Sequence, residues 1–356
     1  MNPLLVEAIR SDCRVSSDGF QANLASLRNQ AILVTGGTGF MGTWIAEMIA
    51  FLNEEHGFNT TLFLLSRDSK EFETKAPHLA KQGFINLIEE DIRNVAILPE
   101  QIGWIIHAAG TPDNREHASQ PLKTIDVAYK GTTALLEASL RLPALKKVVC
   151  VSSNYIYGQL NANVAIEEHQ PGSLNCNSVG AAYAEAKRIT ETVCAVYRNQ
   201  QQLPIDIVRP FAFMGPYQGL EKPWALNNFI RDSILGGAIR ILGNRNTTRS
   251  YLYGSDMAYW ILSVLASPHS GKVYNIGSPY GISLYELAQK IKTSFHRNID
   301  IVEKASSGKS SAIQSSVPST KAIENDLNVA QRIDINSSLI KTIEWYESIL
   351  HDETYK

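Results

Sequence analysis

Long apolar runs are missing from this chain. No segment reaches the roughly 18 uncharged apolar residues that a membrane span requires. The apolar triplet Leu4-Leu5-Val6 is broken at once by Glu7, Arg10 and Asp12, so the start does not read as a signal peptide. An excess of one charge is also missing: 33 Lys and Arg face 35 Asp and Glu, for a net charge of −2. That balance argues against nucleic acid or an anionic membrane surface as a partner, and leaves room for a local basic pocket. Cysteine is scarce, with Cys13, Cys150, Cys176 and Cys194 only. No pair has C-x-x-C spacing and none stands in a His-rich cluster, so neither a disulfide framework nor a metal site is expected. Reduced thiols and the lack of a targeting signal set the expected location as cytoplasmic.

What is present is an alternation of strand and helix. Residues 31–34 (AILV) form a fully apolar run, as in a buried parallel strand. Further strands are expected at 61–65, 83–89, 104–109, 147–152 and 205–208. Between them lie helical patterns: Trp44, Ile45, Met48, Ile49 and Leu52 share one face, and helices are expected over 132–142 and 182–199. The connections are too long for hairpins. The pattern predicts an α/β protein, a Rossmann-like doubly wound parallel sheet, with a smaller mixed C-terminal substrate lobe. The expected division is a leader with a short helix at 1–30, a dinucleotide-binding domain at 31–209 with a return segment near 251–276, and a substrate lobe from 210–250 and 277–350. Residues 302–321 read as polar loop and 338–350 as an amphipathic helix.

The first strand runs into VTGGTGFMG at 34–42. Gly37, Gly39 and Gly42 fit G-x-G-x-x-G; Gly36, Gly39 and Gly42 fit G-x-x-G-x-x-G. Either spacing lets backbone approach a pyrophosphate, and the following helix offers unpaired N–H groups and a partial positive charge. An acid at the end of the second strand would hold the adenosine 2′-hydroxyl of NAD. Here Ser66 stands in that place and Arg67 follows, which suits a 2′-phosphate and favours NADP over NAD. In the other reading Asp68 takes the hydroxyl.

Tyr183 and Lys187 are four apart on an expected helix and so share a face. A phenol titrates near pH 10, and an adjacent ammonium stabilises the phenolate. Such a tyrosine can exchange a proton with a substrate hydroxyl. The segment 152–158 (SSNYIYG) follows the fifth strand, at the sheet edge where ligands bind. A serine hydroxyl there can meet the same substrate oxygen.

These motifs together resemble the extended short-chain dehydrogenase/reductase group, the NAD-dependent epimerase/dehydratase family that acts on nucleotide sugars. Residues 35–42 resemble its T-G-x-x-G-F-x-G, which favours the Gly36, Gly39, Gly42 spacing, with Phe40 and Met41 between. Residues 90–93 (EDIR), with Asp91 and Ile92, resemble its segment near adenine, and His107-Ala108-Ala109 its H-x-A strand end. Glu167, Pro171, Tyr183, Lys187, Arg209, Gly215 and Pro216 follow in family order, as do residues 249–256 and 342–346. The resemblance implies Ser153, Tyr183 and Lys187 as the catalytic set, with Lys187 also on the nicotinamide ribose. It implies Ser153, Asn154, Tyr183, Asn227, Asn228 and Arg249 at a nucleotide-diphosphate sugar, Arg249 gripping the diphosphate. It also implies a homodimer through helices at 121–142 and 182–199.

The chain departs from the family where dehydratases carry an acid and a Glu. Asn154 and Tyr155 stand there, which counts against 4,6-elimination and against decarboxylation. Ala128 and Ala212 replace two common asparagines. The expected activity is a nucleotide-sugar epimerase or a 4-keto-sugar reductase, with a 4,6-dehydratase or a non-catalytic NAD(P)-binding protein as alternatives.

Overall fold

The computed structural model describes residues 2–19, 21–158, 164–295, 298–303 and 315–354. The first half alternates as expected: α1 (Pro3–Ser17), β1 (Ala31–Thr35), α2 (Phe40–His56), β2 (Thr61–Ser66), α3 (Lys70–Lys75), α4 (Pro77–Ala80), β3 (Ile85–Glu89), β4 (Ile102–His107), α5 (Asn114–Ser119), α6 (Pro121–Ser139), β5 (Lys147–Val151), α7 (Ala182–Gln200) and β6 (Ile205–Pro210). The elements then shorten: β7 (Ala212–Met214), α8 (Ala225–Ile234), β8 (Ile239–Ile241), β9 (Thr248–Tyr253), α9 (Gly254–Ala266), β10 (Val273–Ile276), β11 (Gly281–Ser283), α10 (Leu284–Ser294), β12 (Ile301–Glu303), β13 (Ser315–Ser316), α11 (Lys321–Leu327) and α12 (Ile335–Thr354). Among the described residues no helix is long and apolar enough to cross a membrane.

Seven parallel strands lie in the order β10-β6-β5-β4-β1-β2-β3. Both faces of the sheet are covered over its central strands, which is why β1, β2, β4 and β5 read as near-continuous apolar runs. Alternate residues serve opposite layers. Ile32 and Val34 of β1 pack with α2 and α9, while Ala31 and Leu33 pack with Leu135 and Val193 of α6 and α7. All of α9 is buried. This is the doubly wound α/β class expected from the sequence, and the order reverses between β1 and β4, where such sheets open a crevice.

The helix expected over 132–142 begins earlier, at Pro121, a residue suited to a first helical position. The region expected as a leader with a short helix is, over its described residues 2–19 and 21–30, packed into the fold. Ile9 and Cys13 of α1 are buried, and Leu24 and Leu27 follow. Asp12 accepts from Tyr253 at 2.8 Å and pairs with Lys341 at 2.6 Å, so α1 joins β9 to α12. Beyond β6, β9 is the centre of a small sheet with β11 antiparallel and β13 and β7 parallel to it, and β8 pairs with β12.

Candidate active site

The turn from β1 into α2 is built so that only glycine fits. Gly36 has φ +66°, and a Cβ there would lie 2.7 Å from the Ala108 carbonyl oxygen. A Cβ on Gly42 would lie 2.3 Å from the Gly37 carbonyl oxygen. Gly39 caps α2 without a side chain, leaving the first N–H groups of the helix toward the turn. The backbone is thereby bare on the side that a pyrophosphate would occupy.

Beside the turn, β2 ends at Ser66, whose hydroxyl donates to the Asp68 carbonyl at 2.9 Å. Asp68 Oδ1 accepts from the backbone of Lys70 at 2.9 Å, and Arg67 is exposed. Lys75 of α3 reaches back to donate to the Thr38 carbonyl, and burial pushes its ammonium below the ordinary lysine range. Asp91 accepts from Arg93 Nη2 at 2.8 Å and from Arg93 Nε at 3.0 Å, and Arg93 Nη1 donates to Asp126 at 2.9 Å. The Arg93 guanidinium beside Asp91 holds its carboxyl down, at about 2.

Under the turn, Thr35 Oγ1 lies 2.8 Å from His107 Nδ1 and accepts from the Ala109 N–H at 3.1 Å. His107 Nε2 lies 3.1 Å from Thr132 Oγ1. Full burial lowers the His107 pKa to about 3, aided by Lys187, so the ring is a neutral brace between β1, β4 and α6.

On α7, Tyr183 and Lys187 face the same space. Lys187 Nζ donates to the Val151 carbonyl at 2.9 Å. The Tyr183 ring stacks on His117 of α5, with centroids 4.0 Å apart and planes 18° apart. Tyr155 meets its edge at 5.4 Å. Ser153, buried at the end of β5, accepts from the Tyr155 N–H at 3.2 Å and so caps the turn 154–157. Asn154 donates to Ser316 at 2.8 Å.

One cleft of about 910 Å³ joins these parts. Gly36, Gly39, Phe40, Ser66, Arg67, Asp91, Ile92, Ala109, Tyr183 and Lys187 line it. Met41, Gly42, Ala108, Ser153, Asn154, Asn227, Asn228 and Arg249 are not among its lining residues. Asn227 is buried and donates to the Gly219 carbonyl at 2.8 Å, so it holds the loop over the cleft from behind. Asn228 accepts from Arg231 at 2.8 Å, and Arg249 donates to the Thr248 carbonyl at 2.9 Å. The far wall comes from elements to which sequence reasoning gave no role: Asn2 and Leu5 of α1, Tyr217 and Gln218, and Trp345 and Tyr346 of α12. Tyr346 donates to the Gln218 carbonyl, which ties that wall together. His117 and Lys75 also line the cleft and were not anticipated.

The sequence matches the profile of the NAD dependent epimerase/dehydratase family over residues 32–277. The chain belongs to this family. Among curated relatives, a UDP-glucuronic acid decarboxylase 6 from Arabidopsis thaliana is 27% identical over 77% of this chain and 76% of its own length. A UDP-N-acetyl-alpha-D-glucosaminuronate decarboxylase from Bacillus cytotoxicus is 25% identical over 90% of this chain and 98% of its own. Among solved structures, a mutant UDP-glucuronic acid 4-epimerase from Bacillus cereus, in complex with UDP-4-deoxy-4-fluoro-glucuronic acid and NAD, superimposes with a TM-score of 0.75. It is 20% identical and covers 90% of this chain and 100% of its own, a likeness of fold. The expected epimerase/dehydratase family and the expected fold class are both borne out.

Proposed function

We propose that this protein carries out NAD(P)-dependent hydride transfer on a nucleotide-diphosphate sugar, as an epimerase or a 4-keto-sugar reductase. The observation that carries the reading is the shared cleft of Tyr183 and Lys187 with the bare turn at Gly36 and Gly39. The turn fits a dinucleotide, because its crowded glycines leave backbone N–H groups at the start of α2 uncovered. Bound NAD(P) supplies the hydride acceptor or donor. Tyr183 takes or gives the proton of the sugar hydroxyl at its phenolic oxygen. Lys187 holds the ribose from the face of α7 that also carries Tyr183. Ser153 shares the sugar oxygen with Tyr183, and Asn154 flanks it. Asn228 and Arg249 hold the nucleotide diphosphate from the smaller lobe, Arg249 as a two-pronged donor, while Asn227 serves from behind by holding the Gly219 loop.

The cofactor's adenosine ribose is assigned to Ser66 and Arg67, which favours NADP. Lys75 adds a second cation on that side of the cleft. An epimerase keeps its cofactor through the cycle, and a reductase releases it. The names of the curated relatives favour a second reading, decarboxylation of a nucleotide uronate. Asn154 and Tyr155 argue against it, since neither is the carboxylate that family decarboxylases tend to keep there.

The protein is further proposed to be a cytoplasmic homodimer. Leu122, Ile125 and Tyr129 of α6, with Ile189 and Val196 of α7, are exposed apolar side chains on adjacent helices. A monomer by light scattering at working concentration sinks the dimer. The test of activity is the mass of the product from a panel of nucleotide sugars, one a 4-keto sugar, with and without NADPH. An unchanged mass with altered mobility marks an epimerase, and a gain of two hydrogens that needs NADPH marks a reductase. Loss of carbon dioxide or of water rejects both.

A further inference from the structure

The cleft holds a base that the reading above does not use. His117 is 7% exposed, lines the cleft and lies flat on Tyr183. Its Nδ1 is 3.2 Å from Thr124 Oγ1, while Nε2 is buried without a hydrogen-bond partner. Thr124 has one hydroxyl proton, and it donates that proton to the Gln120 carbonyl at 3.1 Å. The threonine oxygen is then an acceptor, so Nδ1 carries the imidazole proton. Nε2 is left with a lone pair and nothing to accept. Burial holds the ring below the ordinary histidine range and Lys187 of α7 adds to this, against the opposing carboxylates of Glu116 and Asp113 and a hydrogen bond to the Thr111 backbone. A buried acceptor without a donor is unfavourable until a ligand supplies one.

We propose that His117 Nε2 accepts a hydrogen bond from a sugar hydroxyl neighbouring the one that Tyr183 handles, which makes His117 a specificity residue of this site. The proposal rests on the nucleotide-sugar reading. A pyranose carries hydroxyl donors on adjacent carbons. A sugar that offers one oxygen to Tyr183 therefore offers a second proton to the ring stacked on it. A lone pair also discriminates: it is satisfied by a hydroxyl and left unpaired by a deoxy carbon at that position. His117 thus favours a sugar that carries this neighbouring hydroxyl over its deoxy counterpart.

The test is calorimetric titration of the NAD-loaded protein with UDP, UDP-glucose, UDP-glucuronic acid, dTDP and dTDP-glucose. Wild type is expected to bind a sugar nucleotide more tightly than the bare nucleotide. His117→Phe keeps a flat ring on Tyr183 and lacks the acceptor. It is expected to lose about tenfold in affinity for the sugar nucleotide, with affinity for the bare nucleotide unchanged. His117→Gln restores an acceptor and recovers most of that loss; it also serves if the Phe variant does not fold. Equal sugar affinity in wild type and His117→Phe overturns this proposal alone, as does a tenfold loss in His117→Gln. A wild type that binds neither sugar nucleotide better than its nucleotide overturns the proposal and the functional reading together.

Discussion

Lys187 donates its ammonium to the carbonyl of Val151 at 2.9 Å, so the last residue of β5 fixes the cation one helical turn from Tyr183. The anchor holds the ammonium in the cleft that Tyr183 also lines. Replacing Tyr183 with Phe is expected to lower turnover by roughly 10²–10⁴ while cofactor affinity survives. Lys187→Met is expected to weaken both. Steady-state rates alongside a fluorescence titration with NADPH and NADH separate the two effects.

Arg67 stands exposed at the mouth of the cleft, and Lys75 is partly buried nearby. Removal of a charge-assisted contact to a 2′-phosphate is worth about 1.5–3 kcal/mol, or roughly 10- to 100-fold in affinity. Arg67→Ala is therefore expected to weaken NADP binding by that factor and to leave NAD binding within twofold, about the scatter of such titrations. Equal losses for both cofactors would rule out Arg67 as the selector.

Gly36→Ala meets two obstacles. The residue sits at φ +66°, and its Cβ would press on the Ala108 carbonyl oxygen. The left-handed conformation alone costs roughly 1–2 kcal/mol for an L-residue. A lowered melting temperature together with lost cofactor binding is expected. An unchanged melting curve would show that the turn relaxes freely.

At the opposite end of the sheet, Lys147 and Asp206 form a buried pair at 2.6 Å. Lys147 also donates to the His269 carbonyl at 2.6 Å, and Asp206 accepts from the Lys272 N–H at 2.8 Å. Asp206→Ala strands the ammonium and is expected to cost about 3–5 kcal/mol. Urea denaturation measures this, with turnover per folded molecule predicted to stay near wild type.

Asp256 accepts from the backbone of Arg332 and Ile333, each at 3.0 Å, and burial raises its pKa from 3.8 to about 6. The folded protein therefore binds this proton more tightly than the unfolded chain does. The stability it contributes is full below pH 3.8 and is lost as pH rises through about 6. Asp256→Asn removes that titration. The stability difference between variant and wild type should shift in favour of the variant from pH 4 to pH 6.5, a window set by the titration range. Thermal melts across that range give the slope, and a flat difference rejects the assignment.

Strands β1, β2, β4, β5 and β6 were legible because burial on both faces leaves continuous apolar runs. The glycine turn and the Tyr183–Lys187 spacing were legible because each is local. The packing of α1 was not. Its inner face mixes Ile9 and Cys13 with Asp12, Ser16 and Ser17, and those polar residues are buried by partners remote in sequence, such as Ser255 at 2.8 Å from Ser16. His117 was hidden for a similar reason. It lies on a helix of six residues, too short for periodicity, and its meaning comes from Tyr183 on another element. Asn227, which reads as a ligand in a family motif, spends its amide on the Gly219 carbonyl.

The strand that completes the main sheet beside β6 is β10, and the chain reaches it only after β7, α8, β8, β9 and α9 have been made. During synthesis at roughly 5–20 residues per second, β6 therefore waits several seconds with an open edge. An apolar edge left bare invites pairing with another nascent chain. Yield of soluble protein should thus respond to translation speed and to chaperone supply more than its equilibrium stability would suggest.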